Sequence, residues 1–120
     1  MKTFSEFIKE SQYADLHAGK IQKKLIKKLT DEDKNFVKFL FHDEKRNVGR
    51  TMEEVEKALW KVDSKLIDEY FEHVTAILKY VDFTPEQVVS TYSLARSGKQ
   101  MKIEVIAQVG YFAYEAIVFG

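Results

Sequence analysis

The chain has no cysteine, one proline and five glycines in 120 residues. Without cysteine there is no disulfide framework, no thiolate zinc site and no cysteine nucleophile; the absence is compatible with a reducing cytoplasm. With so few prolines and glycines, long stretches contain nothing that breaks a helix. Charge of one sign is not in excess, because 19 Lys and Arg face 19 Asp and Glu. The whole chain is therefore not a polycation made for nucleic acid. Long apolar runs are missing as well. Glu6 interrupts the stretch where a secretory signal needs about seven apolar residues in a row. The most apolar segment, residues 103–119, holds Glu104, Gln108 and Glu115. That makes it a poor bilayer span, and no membrane partner is expected.

What is present suffices for one core. Apolar residues make up 45% of the chain, with nine Phe, six Tyr and one Trp. A chain of this size buries roughly two thirds of its unfolded surface and needs no staple. The expected fold is all-α, a single compact bundle of about five or six helices over residues 11–120, preceded by a short helical segment at 1–10. Phe4, Phe7 and Ile8 put one apolar stripe on that first segment. A second helix is expected over about residues 13–29, with Leu16, Ile21, Leu25 and Leu29 inward. Thr30 followed by Asp31, Glu32 and Asp33 is a cap with acids at the positive end of a helix dipole. The helix behind it carries Phe36, Val37, Leu40 and Phe41.

Residues 42–50, rich in charged and polar side chains, read as a loop. Thr51 with Glu54 forms a capping box, and the helix behind it places Val55, Leu59 and Trp60 inward. Asp63 caps the next helix, whose stripe of Leu66, Ile67, Tyr70, Phe71, Val74, Ile77, Leu78 and Val81 is the most regular in the chain. Thr84, Pro85 and Glu86 start another helix, which Ser97 and Gly98 end. Residues 101–119 fit two readings. Part of the segment alternates like a strand, so an α+β fold with a C-terminal hairpin at 101–119 is the alternative. A long buried helix fits Ile103, Ile106, Val109, Gly110, Phe112, Ala113 and Ala116 better, and no hairpin dipeptide divides the segment.

Charge is uneven along the chain. Residues 11–50 carry ten Lys and Arg against six Asp and Glu, and residues 51–120 carry seven against eleven. Lys20, Lys23, Lys24, Lys27 and Lys28 crowd into about two helical turns. Such a helix suits an anionic partner, whether phosphate, an acidic protein face or an anionic membrane surface; the plain alternative is a solvated outer face. No aromatic is interleaved there, so stacking of single-stranded bases is not expected. Lys45, Arg46 and Arg50 form a second basic cluster.

Catalytic patterns are faint. Three histidines, His17, His42 and His73, lack the spacing of a zinc protease or a di-iron bundle. Glu69 and His73 share one helix face as a surface pair. Ser97-Gly98-Lys99 lacks the leading glycine of a phosphate loop, and Ser64, Ser90 and Ser93 sit in no nucleophile elbow. No catalytic residue, metal ligand or cofactor is expected, and the chain reads as a protein that binds.

The first ten residues, Met1-Lys2-Thr3-Phe4-Ser5-Glu6-Phe7-Ile8-Lys9-Glu10, resemble the capsid-targeting propeptide of internal head proteins of T-even-type phages. That pattern opens with Met-Lys-Thr and an aromatic, continues with Phe and an aliphatic, and closes on a glutamate one spacer beyond. The resemblance implies a targeting face of Phe4, Phe7 and Ile8 that docks on phage scaffold. It also implies cleavage by the prohead protease after Ile8-Lys9-Glu10, leaving Ser11 first. A short apolar stripe that cannot fold alone suits docking on a partner, and small or polar residues at 11 and 12 suit a bond the protease reaches. It implies further a place in the virion interior, then delivery into the host with DNA, where such proteins bind a host defence enzyme or DNA. The alternative from the residues alone is a cytoplasmic regulatory or nucleic-acid-binding domain that uses the lysine helix.

Overall fold

Two threonines mark where helices begin. In the computed structural model, which describes residues 14–88 and 98–119, with side chains from Ile21 onward apart from Glu86, each starts a helix through a reciprocal cap. Thr30 Oγ1 accepts the Asp33 N–H at 3.0 Å, and the Asp33 carboxylate accepts the Thr30 N–H at 3.0 Å. Thr51 and Glu54 repeat the arrangement, at 3.1 and 3.3 Å. Each pair satisfies two donors that the first turn would leave without partners.

Between and beyond these starts the chain forms α1 (Ala14–Lys28), α2 (Asp31–Phe41), a small hairpin of β1 (His42–Asp43) and β2 (Val48–Gly49), α3 (Met52–Trp60), α4 (Ser64–Lys79), the single turn α5 (Pro85–Val88) and α6 (Gly98–Phe119). The helical bundle read from the sequence is therefore the fold of the described residues. The alternative hairpin at 101–119 is replaced by one continuous helix. Residues 42–50, read as a loop, contain the hairpin instead, with His42 opposite Gly49 and Asp43 opposite Val48. Its turn closes through Asn47 at φ 54°, a left-handed conformation that asparagine tolerates. Asp43 Oδ1 accepts the N–H groups of Lys45 and Arg46 at 3.0 and 3.3 Å, which folds the turn back on itself.

Helix α6 is the axis of the bundle. It packs against α1, α2, α3, α4 and α5. All eight residues from Ile103 to Gly110 are buried, Glu104 and Gln108 among them. A helix enclosed on all sides carries apolar residues round its whole circumference. Gly110 lies in its middle and makes no turn. A methyl group there would stand 2.8 Å from the Phe41 ring, so glycine is what allows α2 to seat Phe41 against the axis. Leu25 of α1 and Leu29 just beyond it, Val37 and Leu40 of α2, Val55 and Leu59 of α3, and Ile67, Val74, Ile77 and Leu78 of α4 complete the core.

Several inward assignments need correction. Trp60, 48% exposed, and Leu66, 42% exposed, lie on the surface. Trp60 is the last residue of its helix. Lys99 covers it, with its ammonium 5.6 Å from the ring centre and 3.2 Å from the Val62 carbonyl. Leu66 falls at the edge of an apolar stripe wider than the contact it makes. Asp63 precedes α4 without a side-chain cap bond. Gly98, read as a helix end, is the first residue of α6. Among the described residues no helix is long and apolar enough to cross a membrane.

Candidate functional site

On α1 the lysine cluster is laid out as the spacing requires. At 100° per residue the five positions from Lys20 to Lys28 fall within an arc of about 140°, centred opposite Leu25 and Leu29, and run about 12 Å along the axis. Lys23, Lys24, Lys27 and Lys28 are exposed, while Leu25 and Leu29 are 1% and 6% exposed. The Lys20 side chain, like that of Leu16, is outside the described residues. The apolar face of α1 is thus consumed by the core, and only its charge is offered outward. Lys24 Nζ lies 3.1 Å from Asp82, an exposed ion pair worth little in water. Asp82 holds φ 62° just beyond α4, where the Phe83 N–H returns to the Leu78 carbonyl at 3.1 Å. The chain thus leaves α4 through a left-handed residue.

The second basic cluster is not a free basic patch. Arg46 Nε donates to Asp43 at 2.7 Å and its Nη2 to Glu54 at 2.8 Å. The bond from the Arg46 side chain, followed by that from the Arg46 backbone N–H, holds the Asp43 carboxyl below its ordinary range. Glu54 is lowered too, first by the Thr51 N–H and then by Arg46. Arg50 Nη1 donates to the carbonyls of Phe39 and Leu40, both at 3.1 Å, and the Arg50 N–H reaches the Phe41 carbonyl at 2.6 Å. Arg50 therefore closes the carbonyl end of α2, where a cation also complements the helix dipole. Of the three, only Arg46 is in an ion pair among the described residues, and Arg50 spends its donors on backbone carbonyls. Arg50→Ala is expected to cost about 1–3 kcal/mol, because two charge-assisted bonds to helix carbonyls disappear; urea denaturation measures it.

The residues most closely joined were not read as a group from the sequence. Asp33, 5% exposed, accepts from Thr30 N–H, from Tyr80 Oη at 3.0 Å and from His73 Nε2 at 2.6 Å. An ionised carboxylate only accepts, so His73 Nε2 carries the proton in that bond. The His73 ring stacks on Phe36 at 4.3 Å between centroids. Burial pushes the Asp33 carboxyl up, but the bonds from the Thr30 backbone, His73, Tyr80 and the Thr30 side chain outweigh it and leave Asp33 below its ordinary value. Burial, followed by the neighbouring Asp33 carboxylate, raises the Tyr80 phenol. With three donors on its oxygens, this carboxylate is occupied as a structural pin between α2 and α4. His73 pairs with Asp33, forty positions away, while Glu69 is exposed. The one sequence signal was the spacing Thr30-x-x-Asp33, which places Asp33 in the first turn of a helix.

His42 Nδ1 stands 3.1 Å from Tyr114 Oη, so it ties the hairpin to α6. Among the described residues no group of three or more His, Asp or Glu is placed to hold a metal ion. The targeting face Phe4, Phe7 and Ile8, the cleavage residues Glu10 and Ser11, and Ser90 and Ser93 lie outside the described residues, as does the His17 side chain. Beside the hairpin runs a groove of about 1000 Å³ whose lining includes Phe39, Leu59, Val62 and Tyr70, with Lys38 and Lys45 at its edge. Comparison with protein-family models, curated proteins and solved structures finds no match for this chain.

Proposed function

We propose that this chain is an internal head protein of a phage, targeted into the prohead by its first ten residues, trimmed there, and delivered into the host with DNA to act by binding. The observation that carries the reading is the decapeptide ending Ile8-Lys9-Glu10. The reading requires a body that folds without the targeting peptide. The core from Leu25 to Ala116 is assembled around α6, and a body that outlives its targeting peptide needs such a core. Glu10→Ala is expected to leave packaging intact and block trimming, because the side chain for the protease's acid-recognising pocket is gone. Phe4→Ser with Phe7→Ser is expected to abolish packaging, because most of the apolar anchor is lost. Immunoblots of purified virions from the two variants separate the two effects; packaging of the Phe4/Phe7 variant at the wild-type level would sink the reading.

A second reading rests on α1. Its exposed lysines, with their apolar neighbours committed to the core, suit contact with a phosphate backbone and not insertion into lipid. If the protein binds duplex DNA, this face makes the contact. Each phosphate neutralised then steepens the dependence of log K on log salt by about 0.9. Changing Lys23, Lys24, Lys27 and Lys28 to Glu is expected to abolish DNA retention at low salt. Retention unchanged in that variant moves the contact away from α1.

A further inference from the structure

We propose that the groove between α2, the hairpin and α3 is a docking site for an amphipathic helix of a partner protein, one whose apolar anchors are bordered by Asp and Glu. The proposal rests on the reading of this chain as a protein that acts by binding, and it names the surface and the chemistry of the partner.

Three observations carry it. The first is shape and polarity. The groove has a volume of about 1000 Å³, with buried Leu40, Val55 and Leu59 beneath it and half-buried Val62 and Tyr70 beside them. An apolar trough of this kind takes the i, i+3, i+4, i+7 side chains of one helix face. The second is an aromatic at its wall. Phe39 is 63% exposed and stands edge-on to Tyr70 with 6.3 Å between ring centres. Leu66, also exposed, lies one turn before Tyr70 on α4 and adds to the apolar surface on that helix. An exposed Phe in the last turn of α2 is no part of the core of this chain, whereas aromatic anchors of that kind carry much of the energy of protein interfaces.

The third observation is charge. Asp43 and Glu54 line the groove, and both are taken by Arg46. Lys38, Lys45 and Arg50 line it too, with Glu44 the acid left to oppose them. Lys38 and Lys45 have no ion pair among the described residues, and Arg50 keeps its positive charge while it caps α2. With Arg46 counted, four cations stand against three acids, so the edge carries one positive charge in excess around an apolar floor. Acids flanking apolar anchors complement that arrangement, and lysines in the same places would be repelled. A nucleic acid would meet few cations and an apolar floor, so it does not fit this groove as it fits α1.

The test uses the full chain and two synthetic peptides of about 18 residues, long enough to hold a helix when docked. Both carry Leu at i, i+3, i+4 and i+7; one has Glu at the flanking positions and its twin has Lys. Fluorescence anisotropy is expected to show saturable binding of the Glu peptide and binding of the Lys twin weaker by about tenfold or more. Phe39→Ser is expected to weaken the Glu peptide by about tenfold, with an unchanged thermal melt because the ring is not in the core. Lys38→Glu with Lys45→Glu is expected to invert the preference between the peptides, a result that lost folding cannot imitate. Three outcomes overturn the proposal: neither peptide binds at roughly millimolar concentration, both bind equally, or Phe39→Ser changes nothing. Concentration-dependent self-association abolished by Phe39→Ser also overturns it, because the occupant would then be a second copy of the chain. Packaging into virions does not enter this assay, so failure here leaves the delivery reading standing, and failure of delivery leaves the groove standing.

Discussion

Phe41→Ala is expected to lower the free energy of unfolding by about 3–5 kcal/mol. The side chain is fully buried at the last position of α2, and three independent features converge on it. Its ring lies 5.9 Å from Tyr111 and 6.1 Å from Tyr114 between centroids. Gly110 is bare of a side chain where the ring meets α6. The Phe41 carbonyl accepts the Arg50 N–H and so fixes the hairpin. Truncation leaves a ring-sized void against a helix held by five neighbours, and a helix so confined cannot collapse into it. A domain of this size has about 5–15 kcal/mol of stability in total, so the variant is expected to lose a substantial share of it. Phe39→Ala, two residues earlier on the same helix, removes an equal ring from the surface and is expected to change stability by less than about 0.5 kcal/mol. Urea denaturation of the two variants side by side checks the contrast; equal losses would contradict the placement of Phe41 as the contact between α2 and α6.

The second large effect is expected at Asp33. Asp33→Ala removes the acceptor for Thr30, His73 and Tyr80 at once. The cost is expected to be about 2–4 kcal/mol, from a lost cap and from donors left without a partner. Asp33→Asn keeps an oxygen for the cap but no longer presents an anion to His73, and it is expected to lose roughly half as much. The same group sets a pH dependence. Its folded carboxyl titrates below the ordinary value, so the unfolded chain takes up the proton first as pH falls. Its contribution is therefore fully present above the unfolded value of about 4. It is lost progressively as pH drops from there through the folded value. Thermal melts between about pH 3 and 6 are expected to show wild type losing more stability at the acid end than Asp33→Asn, which has no proton to gain. Parallel curves would show that the carboxylate contributes no such linkage.

Much of the fold was legible because local rules agreed with global packing. Thr30 and Thr51 announced helix starts through side chains that bond within the same first turn, so no distant residue was needed to read them. The stripe from Ile67 to Val81 was legible because α4 is apolar on one side only. Helix α6 was ambiguous for the opposite reason, since an axis buried all round has no polar face to set the period. Gly110 looked like a weak turn, because a close approach of two helices is a property of the pair and leaves no local mark. The hairpin was missed because two residues per strand are too few to alternate.

The candidate sites divide in the same way. The lysine face of α1 could be read from spacing alone. The neutralisation of Arg46 by Asp43 and Glu54, the use of Arg50 as a cap, and the joining of Asp33 to His73 all depend on residues from other elements. Their positions along the sequence say nothing of those partners. The groove beside Phe39 was invisible for that reason too: an apolar residue at helical spacing reads as core until the neighbouring helix is shown to leave it uncovered.

The measurement that tests the proposed delivery most directly is intact-protein mass spectrometry of purified T-even-type phage virions grown in cells that express the full chain. The account predicts a species that begins at Ser11 and lacks the mass of the first ten residues, accompanied in protease-deficient proheads by the full-length form. A protein found in virions at full length from Met1, or absent from virions altogether, would contradict it.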